Sequence, residues 1–218
     1  MDGKRKDVML AVGAIVAIVL IGYLLLNIDT IFPAPAVDLS VPQVSDAQFN
    51  IVHGTNPNAT VTFIEFGDFE CPSCKDNEPA IKQMLATYGN KINFVFKHFP
   101  ISDIHPDAER AGEASECARD QGKFWEYHDK LYDNQDKLGG DNLLKYAQDI
   151  GMDGQAFAEC LQNGHKDAIV QQELVEGIRA GVRGTPTFFI NGKKLEGIHT
   201  FDELKNAVDS ELNTGAQQ

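Results

Sequence analysis

The hydrophobic positions along the chain predict an ordered series of strands and helices. Residues 60–66 are β-branched and aromatic, with apolar side chains on both faces, as in a central strand covered by helices. From Pro72 the apolar positions recur every three or four residues until Gly89 and Asn90, which is typical of a helix, and residues 91–99 form a second buried strand. A strand, a helix and a strand in this order predict a right-handed unit with parallel strands.

The chain between residues 103 and 181 contains no strand-like run and is predicted to be helical. Five helices are expected there, at about 107–119, 123–134, 141–150, 153–162 and 165–180. A strand pattern returns at 187–190, followed by the hairpin signal Asn191-Gly192 and a partner strand to Gly197. A capping box at 200–203 begins a final helix that reaches about residue 212. The predicted fold class is therefore α/β, with a mixed sheet and an inserted all-helical segment.

A long apolar run near the start of the sequence predicts a membrane anchor. Residues 8–26 carry no charge and are long enough to cross most of a hydrocarbon core as a helix. Basic residues at 4–6 precede the run, and Asp29 and Asp38 follow it, which predicts a cytoplasmic N-terminus. Cleavage near the small residues at 34–36 is the alternative, but the run is longer than a usual signal peptide, so an uncleaved anchor is favoured.

Composition narrows the class of protein further. The 218 residues are 43% hydrophobic and 23% charged, which suits one globular domain with an appendage. The net charge of −13 argues against a nucleic-acid partner, and a solvated acidic surface needs no functional explanation. The chain has four cysteines in a compartment that permits disulfides, and they allow three pairings.

The motif Cys71-Pro72-Ser73-Cys74 carries the candidate chemistry. Because a strand ends just before it and a helix begins at it, Cys71 is expected among the free N–H groups of a helix start, where a thiolate is favoured. Cys71 is therefore the predicted nucleophile. Cys74 lies one turn further along the same helix face, so it is the predicted resolving thiol. Pro72 suits the first turn, where its missing N–H costs nothing.

A CxxC motif also occurs in zinc sites and in purely structural disulfides. A zinc site usually needs a second ligand pair at compact spacing; His98 and His105 are the available candidates, but His98 ends a strand and is better explained as a packed or surface histidine. A purely structural disulfide remains open, although its short loop would constrain the unfolded chain little. The expected chemistry uses the two thiols, with no metal and no cofactor.

Glu65 is the third candidate residue of the site. It lies six residues before Cys71, in the middle of the apolar strand. Burial raises the pKa of a carboxyl group, which would suit Glu65 to exchange a proton with Cys74 during turnover. The alternative is that this residue faces solvent on an edge strand.

Several motifs, in order, resemble the DsbA-like thiol:disulfide oxidoreductases, in particular their membrane-anchored relatives. The resemblance covers about residues 50–212. Its motifs are the segment 63–66 before the CxxC pair, Lys97-His98-Phe99-Pro100, Gly122-Lys123-Phe124-Trp125 with His128, and the run from Gly184 to Gly192.

The resemblance implies a thioredoxin fold with an inserted helical domain. It also implies that Pro186 is a cis-proline facing the active-site disulfide, with the backbone of Thr185 free to pair with an extended peptide substrate. An ordinary trans proline is the alternative. Glu65 falls where oxidoreductases of this fold carry their buried acid.

The expected organisation follows from the patterns and the resemblance together. It comprises a cytoplasmic N-terminus (1–7), a transmembrane anchor (8–26), an extended proline-containing tether (27–48), a thioredoxin-like domain (49–102 and 182–213) and a helical insertion (103–181). The catalytic domain is then extracytoplasmic, on a single-pass protein of the cell membrane.

The sequence departs from the family pattern at two places. Strongly oxidising members carry His at the position of Ser73, so one contribution to thiolate stabilisation is absent. Cys117 and Cys160 form an extra pair within the insertion and are expected to bond to each other, with two buried free thiols or a second redox relay as alternatives. The chain-entropy treatment gives such a loop about 4 kcal/mol of stabilisation.

The favoured function is an oxidase that introduces disulfides into exported proteins with reduced cysteines. A membrane quinone-linked protein is the expected reoxidising partner. A disulfide reductase or isomerase would use the same thiols in another direction. A non-catalytic, tethered thioredoxin-like binding module is the alternative from a different class.

Overall fold

A computed structural model of the protein describes residue 22, residues 51–53, residue 56 and residues 58–215. The chain divides into two units, Met1–Ala36 and Val37–Gln218, and the strands and helices below belong to the second. Apart from Gly22, the predicted anchor and tether lie outside the described residues. Within those residues, no helix is both long and apolar enough to cross a membrane.

The strands of the described residues form one sheet in the order β1-β3-β2-β4-β5. They are β1 (Ile51–His53), β2 (Val61–Gly67), β3 (Ile92–His98), β4 (Thr187–Ile190) and β5 (Lys193–Glu196). Strands β2 and β3 are parallel, and the other pairings are antiparallel, which confirms the predicted mixed sheet. Strand β1 is an addition that the sequence pattern does not reveal, because three residues are too few to show alternation.

In the described residues, one α-helix joins the parallel strands, and five more α-helices lie between β3 and β4. The helices are α1 (Pro72–Tyr88), α2 (Ala108–Asp120), α3 (Phe124–Asp133), α4 (Asn142–Asp149), α5 (Gly154–Asn163), α6 (Asp167–Arg179) and α7 (Phe201–Gly215). Helices α2 to α6 begin and end within two residues of the five predicted in the insertion. The period of the apolar positions therefore located them well.

The alternation of side chains along β2 divides the core into layers. Phe63 packs with the apolar residues of α1 and α7 on one face of the sheet, whereas Ile64 packs on the other face with side chains that include Leu174 of α6. A third cluster gathers the apolar side chains of the inserted helices and includes both Cys71 and Cys74. The two thiols therefore lie where the insertion meets the sheet domain.

The hairpin between β4 and β5 turns at the predicted dipeptide. Asn191 and Gly192 both have positive φ, 47° and 83°, the backbone conformation that a tight two-residue hairpin turn requires. The Asn191 side chain also accepts a hydrogen bond from the Thr62 amide at 2.9 Å, and so joins the turn to β2.

Candidate active site

Cys71 and Cys74 lie at the junction between the end of β2 and the start of α1. Cys71 is the N-cap residue of α1, with an extended backbone (φ −76°, ψ 118°), and Pro72 is the first helical residue. The Cys71 carbonyl accepts hydrogen bonds from the amides of Cys74 and Lys75 at 3.1 and 3.3 Å. The helix start expected from the sequence is thus formed at the nucleophile itself.

The thiol of Cys71 is strongly acidified. Its pKa falls from 9.0 to about 5, first because of a hydrogen bond from the Cys74 thiol, which outweighs the opposing effect of burial. The backbone N–H groups of Ser73 and Cys74 lower it further. At neutral pH the side chain is therefore a thiolate, the form that attacks a disulfide.

Cys74, in contrast, is a weaker acid than an ordinary cysteine thiol. Its side chain is fully buried, and burial raises its pKa well above 9.0, with the hydrogen bond to Cys71 and the charge of Glu65 acting in the same direction. Both cysteines are free thiols in this structure. The arrangement therefore pairs a thiolate that can attack with a protonated thiol that needs a base before it can react.

Glu65 lies on the central strand and is fully buried. It is paired in register with Phe96 of β3 and Phe188 of β4, so it does not lie on an edge. Neither carboxyl oxygen has a hydrogen-bond partner. Burial raises its pKa well above 4.5, and the charges of Glu78 and Cys71 add to this effect, so Glu65 favours its neutral, protonated form.

Sequence reasoning misses a second buried acid, Glu78. It follows Cys74 by four residues on α1, a spacing that places both on one helix face. Burial raises the pKa of Glu78, although His128 and Lys82 oppose this effect. The helical spacing could have pointed to Glu78, but its burial depends on packing against α3, which the sequence does not show.

Thr185 and Pro186 lie beside the nucleophile. The peptide bond between them is cis, as the resemblance implied. The Cys71 sulfur lies 3.4 Å from the Thr185 carbonyl oxygen, to which the protonated form of the thiol donates a hydrogen bond. A cavity of about 270 Å³ opens at this place. It is lined by Arg183, Gly184, Thr185, Pro186, Thr187, Glu196 and Gly197.

Asp68 organises the loop that carries the motif. Its buried carboxylate accepts hydrogen bonds from the amide of Glu70 at 2.8 Å and from the amide of Ile101 at 2.9 Å. The ring nitrogen Nδ1 of His105 lies 2.7 Å from the same carboxylate. His105, which the sequence offered as a candidate metal ligand, is thus engaged with Asp68.

Gln135 ties the helical insertion to the same loop. Its side-chain amide, in the turn after α3, donates hydrogen bonds to the carbonyls of Phe69 and Cys71 at 2.8 and 2.9 Å. The sequence gives no signal for this contact, because it joins residues 64 and 66 positions apart.

The remaining candidates lie within or against the insertion. Cys117 on α2 and Cys160 on α5 form a disulfide with a Cα–Cα distance of 5.8 Å. His98 is buried against the rings of Phe96 and Phe124, and its Nε2 lies 3.3 Å from Glu116. His98 is therefore a packed histidine.

Comparison with known proteins agrees with this architecture. The thioredoxin family matches residues 48–210 of the chain. The Na(+)/H(+) antiporter NhaA 3 of Salinispora tropica is 39% identical over 175 residues, which cover 80% of this chain and 26% of that protein. The chain thus spans about a quarter of the length of that curated relative.

Two solved structures share the fold. A thioredoxin-like oxidoreductase from Silicibacter pomeroyi is 26% identical, with a TM-score of 0.68 over 78% of this chain and 99% of that chain. The alpha-DsbA1 protein of Wolbachia pipientis is 20% identical, with a TM-score of 0.70 over 81% of this chain and 96% of that one. The fold and the site together define a thioredoxin-fold dithiol protein with an inserted helical segment. The chain belongs to the thioredoxin family.

Proposed function

We propose that the chain works as an oxidase, which donates a Cys71–Cys74 disulfide to exported proteins with reduced cysteines. The observation that supports this direction is the low pKa of Cys71, about 5. A stable thiolate stabilises the reduced protein, and a dithiol protein whose reduced form is stabilised is a strong oxidant.

The proposed reaction has two exchange steps. A substrate thiolate attacks the sulfur of Cys71, the Cys71–Cys74 bond breaks, and its electron pair passes to Cys74, which takes a proton from Glu65. A second substrate thiolate then attacks the substrate sulfur of the mixed disulfide, and Cys71 leaves as a thiolate. The substrate gains a disulfide, and the protein gains two electrons.

Thr185 and Pro186 are the proposed substrate platform. They border the cavity of about 270 Å³, and the Thr185 carbonyl lies next to the Cys71 sulfur. An extended peptide that paired with the backbone of Thr185 would bring its cysteine to the nucleophile.

The direction of exchange is tested by a redox equilibrium between the full chain and glutathione. An oxidase is expected to have a reduction potential near −120 mV. A value near −270 mV, that of thioredoxin, would indicate a reductase instead. A high activity on a protein with scrambled disulfides, without net oxidation, would instead indicate an isomerase.

The catalytic role is tested on refolding of a reduced protein that requires disulfides. The Cys71→Ser variant is expected to lose all acceleration over the uncatalysed reaction. A non-catalytic binding module would lose nothing on this substitution. Ser73→Ala is the matched control, since it alters the motif and keeps both thiols.

The proposed compartment is outside the cytoplasm, with reoxidation by a membrane quinone-linked protein. The uncharged run at 8–26 and the basic residues before it support this topology. Intact cells treated with a membrane-impermeant thiol reagent should label Cys71 after reduction. Labelling that requires cell lysis would contradict the proposed location. Quinone depletion should leave Cys71 and Cys74 reduced in cells, and an unchanged oxidised fraction would contradict the proposed partner.

A further inference from the structure

A buried carboxyl group on α6 has no part in the dithiol chemistry described above. Glu173 is only 1% exposed. Its Oε2 accepts a hydrogen bond from the backbone amide of His98, the last residue of β3, at 2.7 Å. Its Oε1 has no hydrogen-bond partner. A buried acid that is satisfied at one oxygen only is costly, and the cost is larger when the acid is ionised, so its presence points to a role.

The hydrogen bond between Glu173 and His98 links the supports of the two segments that form the active site. Shortly after His98, the amide of Ile101 donates a hydrogen bond to Asp68 of the motif loop at 2.9 Å. On the other side, three residues separate the end of α6 from the first residue that lines the cavity beside Pro186. The bond therefore holds the helix that leads to the cis-proline segment against the strand that leads to the motif loop.

The packing of α6 around this bond is apolar and close. Leu174 packs against the cluster on this face of the sheet, and Val182, which follows α6, is buried in the same cluster. A Cβ atom at Gly177 would lie 2.5 Å from the ring of Phe99, so the helix lies directly on the segment that follows β3. Such surroundings stabilise an ionised carboxyl group poorly and tolerate a neutral one.

Charged and titratable groups face Glu173 from β3 and from α2. Burial is the largest influence on its pKa and raises it from 4.5 to about 7. Lys97 and His98 on β3 oppose this rise, and Glu116 on α2 adds to it. The acid therefore changes its charge close to neutral pH, although a cation and an imidazole stand nearby.

The charged neighbours of Glu173 have ion-pair partners of their own. The ammonium of Lys97 lies 2.6 Å from Glu176, one turn further along α6. The carboxylate of Glu116 lies 2.7 Å from Arg119 on its own helix. Lys97 is thus already paired with another carboxylate, so it does not serve as a dedicated counter-ion for Glu173.

We propose that Glu173 is a pH-sensitive switch in the support of the active site: its neutral form holds α6 and the following cis-proline segment against β3, and its ionisation loosens that docking. Because the pKa is about 7 in the folded chain and 4.5 ordinarily, docking is firmest below pH 4.5 and weakens until the pH passes about 7. Glu173 is a positioning residue, since it acts through α6. The switch does not depend on the direction of dithiol exchange.

Hydrogen–deuterium exchange of the full-length chain tests the switch, after correction for the pH dependence of the chemical exchange rate. Peptides that cover residues 168–187 report on α6 and on the cis-proline segment. In the wild type, the opening equilibrium of these amides should rise by about tenfold or more between about pH 5 and about pH 8. In Glu173→Gln, which keeps the size and an acceptor oxygen but cannot ionise, this rise should be absent.

The matched control is Glu176→Gln, on the same helix. Although burial opposes it, the hydrogen bond from Lys97 lowers the pKa of Glu176, so this residue stays ionised across the tested range. Its loss should increase opening by the same factor at every pH and leave the wild-type rise in place. Glu173→Met, a second variant that cannot ionise, should also lack the rise. A rise in Glu173→Gln equal to that of the wild type, or a wild-type chain without one, would overturn the switch.

Discussion

The sulfur of Cys71 lies 3.4 Å from the carbonyl oxygen of Thr185, a residue 114 positions away in the sequence. This contact places the nucleophile against the segment that precedes β4, next to the cavity lined by Pro186. The most acidic thiol of the site is thus also the one beside the proposed peptide platform.

The first prediction concerns the acidity of Cys71. Alkylation of the reduced chain by iodoacetamide, followed across pH, should show a midpoint near 5. In Cys74→Ala the midpoint should move upward, because the hydrogen bond from the Cys74 thiol is the largest cause of the acidification. A wild-type midpoint near the unperturbed value of about 8.5 would contradict this account.

The second prediction is that Glu65→Gln stabilises the reduced protein at neutral pH, by about 1–3 kcal/mol. The folded-state pKa of Glu65 is raised well above 4.5, so its contribution to stability is fully present below that pH and is lost as the pH rises through the folded-state pKa. The amide variant lacks this loss. Urea unfolding at several pH values should therefore show a difference in the free energy of unfolding between Glu65→Gln and the wild type that widens as the pH rises.

The control for that measurement is Glu126→Gln, a substitution at an exposed carboxylate on α3. Its free energy of unfolding should differ from that of the wild type by a few tenths of a kcal/mol at every pH. A constant gap between wild type and Glu65→Gln would indicate that Glu65 ionises normally in the folded protein.

A third prediction concerns the disulfide between α2 and α5. Replacing Cys117 and Cys160 together by Ala should lower the free energy of unfolding by about 2–4 kcal/mol, because the cross-link closes a long loop of the unfolded chain. Urea unfolding measures this loss. The alkylation midpoint of Cys71 should stay the same, and a shift would mean that the insertion disulfide influences the active-site thiol.

A fourth prediction concerns the close packing of α6 against the sheet. A Cβ atom at Gly177 would lie 2.5 Å from Cδ2 of Phe99 and 3.0 Å from Cδ1 of Phe66. Gly177→Ala should therefore destabilise the protein by about 1–3 kcal/mol, although alanine is the better helix former.

The matched background for this test is Phe99→Leu, which removes the ring that blocks the new methyl group. In the Phe99→Leu background, Gly177→Ala should lower the free energy of unfolding by less than it does in the wild type. Thermal unfolding of the wild type, the two single variants and the double variant measures the coupling between the two positions. Equal costs in both backgrounds would show that Phe99 is not the obstacle.

The periodic elements could be predicted from the sequence, and the side-chain contacts could not. The helices of the insertion follow from their apolar spacing, and the Asn191-Gly192 turn follows from the positive φ that a tight hairpin requires. The helix start at Cys71 follows from the order of strand, motif and apolar repeat. Each of these features depends on neighbouring residues alone.

The sequence could not identify three residues of the site, because their roles depend on contacts between distant segments: Glu78, Tyr132 and Gln135. Their importance comes from elements that meet only in the folded chain: α1 against α3, and the turn after α3 against the motif loop. Helical spacing places Glu78 on the face of Cys74, but no local pattern says that another helix covers that face.

The hydrogen bonds of Gln135 have a consequence for protein engineering. Because a side chain of the insertion supplies the donor for the carbonyls of Phe69 and Cys71, the helical insertion is part of the scaffold of the motif loop. A chimera that received the insertion of another oxidoreductase would keep both cysteines and their helix, yet would lose the Gln135 donor to both carbonyls unless the graft carried an equivalent amide. The Cys71 carbonyl would then keep only the backbone amides of Cys74 and Lys75. An exchange of the helical insertion therefore has to preserve its hydrogen bonds to the motif loop as well as the two cysteines.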